Sequence, residues 1–144
     1  MEKIIQEKIS ADHLLYVSLK YTKTTEVMLN LIERWRSMIE SAVDSIMEKA
    51  KKQKLIKTIP DAPKMRIISI REIYKKNPVI VLTMDMYEFF KKVDKLEKIR
   101  ENEFRKNVVL KVLDQGQWTE INMDKLKEYS GVVERFISSL KQIL

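Results

Sequence analysis

One run of apolar residues at helical spacing constrains the fold of this chain more than any other feature. Thr24 and Thr25 are both suited to cap a helix, and Glu26 then places a carboxylate in the first turn, where the helix dipole favours an anion. The apolar residues that follow at steps of three and four are Met28, Leu31, Ile32, Trp35, Ile39, Ala42, Val43, Ile46 and Ala50. The pattern predicts an amphipathic helix roughly 43 Å long, with Trp35 in the centre of the core.

Further helical stripes cover residues 5–21, 65–76, 85–108 and 123–140. The stripe over 85–108 predicts a second long helix, and Asn122 is well placed to cap the last helix. We therefore predict an all-α fold, an antiparallel bundle of four to five helices with two long ones, built as a single domain over residues 1–144.

Two segments leave helix and strand both open. Residues 79–84 form a short apolar run, for which we favour the helix. Gly116 ends the second long helix in the favoured interpretation, since glycine tolerates the left-handed conformation. In the alternative, residues 108–121 form a small β-hairpin around this glycine.

The composition suits an intracellular protein. The chain has no cysteine, so disulfides and thiolate metal sites are excluded. Charged residues flank the first apolar pair, which does not fit a signal peptide, and no apolar run approaches the roughly 20 residues of a membrane span. We expect a soluble, cytoplasmic protein without a membrane partner. Abundant Ile, Lys and Glu with few Gly are typical of thermophilic proteins.

Most chemistry-bearing motifs are missing from the sequence. The only histidine is His13, which disfavours a catalytic triad and a histidine-rich metal site. The only glycines are Gly116 and Gly131, which excludes the glycine-rich loops of P-loop and dinucleotide-binding folds. We therefore predict no metal, no cofactor and no catalytic residue, and favour a non-enzymatic role.

The positive charge of the chain is concentrated in one segment, residues 49–76. Its ten Lys and Arg residues face only Asp61 and Glu72, an excess of +8. These cations are Lys49, Lys51, Lys52, Lys54, Lys57, Lys64, Arg66, Arg71, Lys75 and Lys76. A clustered positive field can bind the phosphates of RNA or DNA, although a solvated helix end carries similar runs. This segment is our candidate nucleic-acid-binding surface.

Three stretches carry a resemblance to known proteins. Residues 14–24, 59–63 and 100–108 resemble an uncharacterised archaeal family of all-helical proteins, and the order of helices is similar to that of HEPN domains. Many HEPN domains are metal-independent ribonucleases of defence or toxin systems, with an Arg followed a few residues later by a His. Here Arg100 is followed after six residues by Asn107, which lacks the acid–base chemistry of imidazole.

Three hypotheses for function follow. The first is a non-catalytic binding module that contacts nucleic acid through residues 49–76. The second is a HEPN-like ribonuclease or toxin–antitoxin component, in which Arg100 and Asn107, with Arg105 or Tyr21, are the weak catalytic candidates and activity is expected to be lost. The third is a protein-interaction domain that binds a protein partner or forms a homodimer through an apolar helix face.

Overall fold

The computed structural model describes all of residues Met1–Leu144 and contains five helices and a three-stranded antiparallel sheet. Helix α1 (Glu2–His13) continues through a π-helical turn (Leu14–Ser18) into a last α-helical turn (Leu19–Tyr21). The other elements are α2 (Thr25–Lys52), α3 (Pro63–Ile73), α4 (Pro78–Val93), β1 (Lys98–Glu101), β2 (Val109–Asp114), β3 (Gln117–Ile121) and α5 (Met123–Ile143). None of the helices is both long and apolar enough to cross a membrane.

The long helix predicted from the apolar spacing is α2. The Thr24 hydroxyl accepts a hydrogen bond from the Val27 amide at 3.3 Å, so this threonine is the N-cap. At the other end, the amide of Leu55 donates to the carbonyl of Ala50 and the amide of Lys54 to that of Lys51. These two bonds form a Schellman motif, in which Lys54 has φ 61° where glycine is usual. The common C-terminal capping motif of a helix is therefore present, but lysine occupies the position at which glycine is usual.

Trp35 lies at the centre of the core, as predicted. It is 1% exposed, and its ring stacks on Phe90 of α4 at 5.9 Å and meets Tyr129 of α5 edge-on at 6.3 Å. This aromatic cluster joins three helices, and it belongs to a hydrophobic cluster of 33 buried residues that also includes side chains of the sheet. Burial of such large rings supplies much of the stabilisation of a core.

The predicted helix over residues 79–84 is confirmed as the first part of α4. Asn77 caps this helix, because its side-chain oxygen accepts hydrogen bonds from the amides of Val79 and Ile80 at 3.1 and 3.2 Å. Pro78 occupies the first turn, where its missing N–H costs no intrahelical bond. Asn122 likewise caps α5 through the amide of Lys125 at 2.8 Å, as its position predicted.

The all-α prediction is wrong, because residues 98–121 form an antiparallel sheet of order β1-β2-β3. Strands β2 and β3 pair around Gly116 with Leu110 opposite Ile121, so the hairpin that we considered as the alternative is the one present. Leu110 and Val112 are buried while their neighbours are only partly so, which is the period of a strand with one buried face.

The second long helix predicted over residues 85–108 is also wrong. Helix α4 ends at Val93, and the following residues include β1, which pairs with β2 from Lys98 opposite Val112 to Glu101 opposite Val109. The apolar residues that suggested a continuing helix include Ile99 and Phe104, and both are exposed. Their helical spacing is coincidental, since the backbone hydrogen bonds offered by β2 decide the conformation of this segment.

Candidate nucleic-acid interface

The structure places the basic segment at the C-terminal end of α2 and along α3. Lys49, Lys51 and Lys52 lie in the last turn of α2, and Lys54 and Lys57 follow in the connector. We call these five lysines the basic end. Lys64 lies in the first turn of α3, whereas Lys75 and Lys76 follow its last residue, about 15 Å away along the helix axis. Only the first part of the basic segment therefore forms one continuous surface.

Two arginines of the segment serve the packing of α3. Arg66 forms an ion pair with Asp44 of α2 at 2.6 Å, and its Nε donates to the carbonyl of Pro60 at 2.7 Å. Arg71 forms ion pairs with Asp85 and Glu88 of α4, both at 2.8 Å. Partial burial alone would lower the pKa of Arg71, but hydrogen bonds and charge from the two carboxylates raise it. Both guanidinium groups hold α3 in place.

Lysines supply the cations that remain free on this surface. Lys75 pairs with Glu72 at 3.2 Å. The lysines of the segment that form no ion pair are Lys49, Lys51, Lys52, Lys54, Lys57, Lys64 and Lys76. Because no carboxylate lies within ion-pairing distance of these ammonium groups, their field extends into solvent, where it can attract phosphate.

A groove between α3 and α4 gathers further lysines beside Lys64. The cavity has a volume of about 420 Å³, and Lys91, Lys92 and Lys95 stand on its α4 side. Lys92 is paired with Asp114 of β2 at 2.8 Å, and Glu88 at the rim is engaged by Arg71. Three ammonium groups, from Lys64, Lys91 and Lys95, are therefore left without a carboxylate. We call this site the lysine groove.

The floor of the lysine groove is apolar. Ile67, Ile68 and the ring of Tyr87 line it, and Ile68 is 48% exposed. Burial, reinforced by the charge of Glu40, raises the pKa of Tyr87 to about 12, so its hydroxyl stays protonated and adds no negative charge near neutral pH. The groove thus has cations around an apolar floor. This combination suits a ligand that carries charge at its edges and has less polar faces.

Sequence reasoning missed Lys91, Lys92 and Lys95. They lie well beyond the basic segment in the chain, and only the packing of α4 against α3 brings them to Lys64. A signal was present, since Lys91 and Lys95 are four residues apart and would share one face of the helix predicted over residues 85–108, although Lys95 lies in the turn after α4. Projecting each predicted helix onto its faces would have shown a stripe of lysines, but it would not have shown that Lys64 lies next to this stripe.

The candidates taken from the ribonuclease resemblance lie elsewhere, around the turn between β1 and β2. Arg100 is on β1, where its Nη1 contacts Glu26 at 3.4 Å and the hydroxyl of Thr25 at 3.3 Å. The carbonyl of Asn107 accepts a hydrogen bond from the side chain of Asn102 at 3.3 Å. Arg100 therefore holds this turn against the start of α2, and it sits on a strand rather than on the helix that we predicted.

Comparison with known proteins identifies no relative of this chain. No protein-family model matches it, and neither a curated protein nor a solved structure matches it. The resemblance to HEPN domains stays a prediction, and the function must be inferred from the surfaces of the chain itself.

Proposed function

We propose that this protein is a non-catalytic module that binds the phosphate backbone of nucleic acid through the lysine groove and the neighbouring basic end. The observation that carries the proposal is the convergence of the unpaired Lys64 of α3, Lys91 of α4 and Lys95 of the turn after α4 on one concave surface. Phosphates neutralised by lysines release condensed counterions, which makes such contacts favourable at low salt without any base-specific hydrogen bond.

The two surfaces are close enough to act together. Asp44, which anchors Arg66 near the start of α3, precedes Lys52 by eight residues, or about 12 Å along α2. Lys64 lies two residues before Arg66 on the same helix. A duplex or a single strand that contacts the groove can therefore reach the basic end within a few phosphates, since successive phosphates on DNA lie only a few ångströms apart along the axis.

The contrast between arginines and lysines supports the same assignment. Arg66 and Arg71 are engaged in ion pairs between helices, while the free cations are lysines with flexible stems. Lysine acts as a point charge without the planar fork that reads guanine, so it suits sequence-independent binding. We expect affinity to depend steeply on salt and weakly on sequence.

The test is fluorescence anisotropy of labelled single-stranded RNA, duplex RNA and duplex DNA at two salt concentrations. Replacing Lys64, Lys91 and Lys95 together by Ala should weaken binding at least tenfold at low salt and reduce the salt slope by about three, near one for each phosphate contact. The RNA is checked for cleavage afterwards, and a cleaved product that is lost on Arg100→Ala would favour the ribonuclease hypothesis instead.

The matched control removes three other exposed, unpaired cations, Arg34, Lys127 and Arg135, which lie outside the groove and the basic end, and so changes the net charge equally. This triple variant should keep most of the affinity. Equal losses in both variants would show a diffuse charge effect and contradict the groove. Absence of binding by the wild-type protein at low salt would remove the nucleic-acid proposal, and a dimeric mass in light scattering would then favour the protein-interaction hypothesis.

A further inference from the structure

Exposed aromatic rings occur at the opposite end of α2, in the region that links the first helix to the sheet. Tyr21 ends α1 and is 77% exposed, and Phe104 in the β1–β2 turn is 74% exposed. They are the two most exposed of the large apolar side chains. Rings this accessible add little to the packing of the core.

Backbone hydrogen bonding brings the segments that carry Tyr21 and Phe104 together. The amide of Phe104 donates to the carbonyl of Lys23 at 2.7 Å, and Lys23 lies two residues after Tyr21. The Cα atoms of Tyr21 and Phe104 are therefore about 14 Å apart at most. Glu103 strengthens the attachment, since its Oε1 accepts a hydrogen bond from the Thr25 amide at 2.8 Å. The turn is thus fixed on the start of α2.

The turn adopts a costly conformation to present Phe104. Asn102 has φ 58° and Phe104 has φ 66°, in the left-handed region that a bulky side chain rarely occupies. Asparagine tolerates this conformation, but phenylalanine gains nothing from it that would stabilise the fold, because its ring is exposed. Residues held in such conformations cluster at ligand-binding and active sites.

Cations without an ion pair flank the two aromatic residues in the chain. Lys20, Lys23, Arg105 and Lys106 form no ion pair, and the ammonium group of Lys20 lies 5.8 Å from the centre of the Tyr21 ring. The acidic side chains of this region are already engaged: Glu26 pairs with Arg100, Glu101 with Lys111, and Glu103 binds the Thr25 amide. The net field around the rings is positive. We call Tyr21, Phe104 and these four cations the aromatic end.

We infer that the aromatic end is a stacking site for unpaired bases of single-stranded nucleic acid. Every base has a face that stacks on an aromatic ring, and the adjacent cations can hold the flanking phosphates. A duplex hides its base faces and so cannot use the rings. The inference deepens the proposed function by naming a strand preference, and it rests on the proposed class of ligand but on none of the groove lysines.

The test compares three probes of equal length: a labelled single strand, the same strand with abasic sites, and the duplex. Phe104→Ala should weaken binding of the intact single strand about tenfold, within the range for one stacked base. It should change the affinities for the abasic strand and the duplex by less than about twofold, because these depend on phosphates. Phe104→Tyr should restore most of the affinity for the single strand.

Trp118→Ala provides the matched control. Trp118 is an exposed aromatic residue of β3 that pairs with Leu113 near the β2–β3 turn, at the other end of the sheet from Phe104. Its removal should leave all three affinities unchanged. Because Phe104 is exposed, its variant should fold normally, which circular dichroism verifies.

Several outcomes would overturn the inference. One is an unchanged affinity of Phe104→Ala for the intact strand, and another is an equal loss for the abasic strand. A third is a wild-type dimer that Phe104→Ala converts to a monomer, which would make the aromatic end a protein contact. If the groove variant loses all binding while Phe104→Ala loses none, the proposed function stands and the stacking site fails.

Discussion

The two ends of α2 are alike in charge and different in chemistry. The C-terminus of α2 carries the lysines of the basic end and no exposed aromatic ring. Near the N-terminus of α2, Tyr21 and Phe104 are exposed and are flanked in the chain by four cations that form no ion pair. The 28-residue helix separates them by about 40 Å. Both ends carry cations to which we propose that a phosphate backbone binds, but only one end carries exposed aromatic rings. Positive charge alone therefore does not define what a surface recognises.

A residue with positive φ lies near each end of α2, and the two residues differ in what explains their conformation. Lys54 at φ 61° completes a helix stop that any chain needs, and its side chain extends into solvent. Phe104 at φ 66° completes a turn between strands, where a smaller residue would serve the backbone better. The first residue is explained by local structure, whereas the second is not.

The largest expected effect is on the rigid middle of α2, on which the comparison of two separate ends depends. Trp35→Ala should lower the free energy of unfolding by about 3 to 5 kcal/mol, because it removes a buried ring that packs on Phe90 and Tyr129. Chemical denaturation followed by circular dichroism measures the loss. A change near zero would contradict the central position of Trp35 in the core and the rigidity of the helix that joins the two ends.

A smaller change should affect the aromatic end alone. Glu103→Ala removes the acceptor of the Thr25 amide, and we expect a loss of about 1 to 2 kcal/mol, since a partly buried donor loses a charged partner. Hydrogen exchange of the Phe104 amide should accelerate, while that of the Leu55 amide in the basic end should not.

Glu103→Gln is the control for this prediction, because its amide oxygen can accept the same hydrogen bond. Its stability should lie close to that of the wild-type protein. Faster exchange of the Leu55 amide in Glu103→Ala would show that the two ends respond as one unit.

The smallest expected effect is a gain at the basic end. Lys54→Gly should raise the free energy of unfolding by about 0.5 to 1 kcal/mol, because glycine adopts positive φ without the steric cost of a Cβ atom. Denaturant titration measures this gain. Lys54→Ala removes the same charge but keeps the Cβ atom, so a similar gain in that variant would assign the effect to charge and contradict the steric explanation.

The sequence predicted the parts of the fold that depend on neighbouring residues. The apolar steps of α2, the Thr24 and Asn122 caps and the buried Trp35 all express local periodicity or local hydrogen bonding. Strand β1 could not be predicted in the same way, because its sequence Lys-Ile-Arg-Glu has no buried face and becomes a strand only by pairing with β2.

The candidate sites follow the same division. The basic end is contiguous in the chain and was predicted, while Lys91 and Lys95 reach Lys64 only through the packing of two helices. Phe104 meets Lys23 across some eighty residues of chain, and its predicted place was inside a helix. Surfaces assembled by tertiary contact leave little trace in local patterns, because each contributing residue is ordinary in its own segment.

The π-helical turn of α1 makes this part of the chain sensitive to insertions and deletions. The amide of Leu19 bonds to the carbonyl of Leu14, five residues back, so this turn holds one residue more than an α-helical turn. Deleting one residue from Leu14–Ser18 would let the helix close as a regular α-helix and would rotate the residues before the turn by about 100° relative to those after it. Either the buried stripe of α1 or the direction of Tyr21 would then be lost. The direction in which Tyr21 points therefore depends on the number of residues in the π-helical turn. An insertion or deletion in this turn would change that direction, whereas a substitution would not.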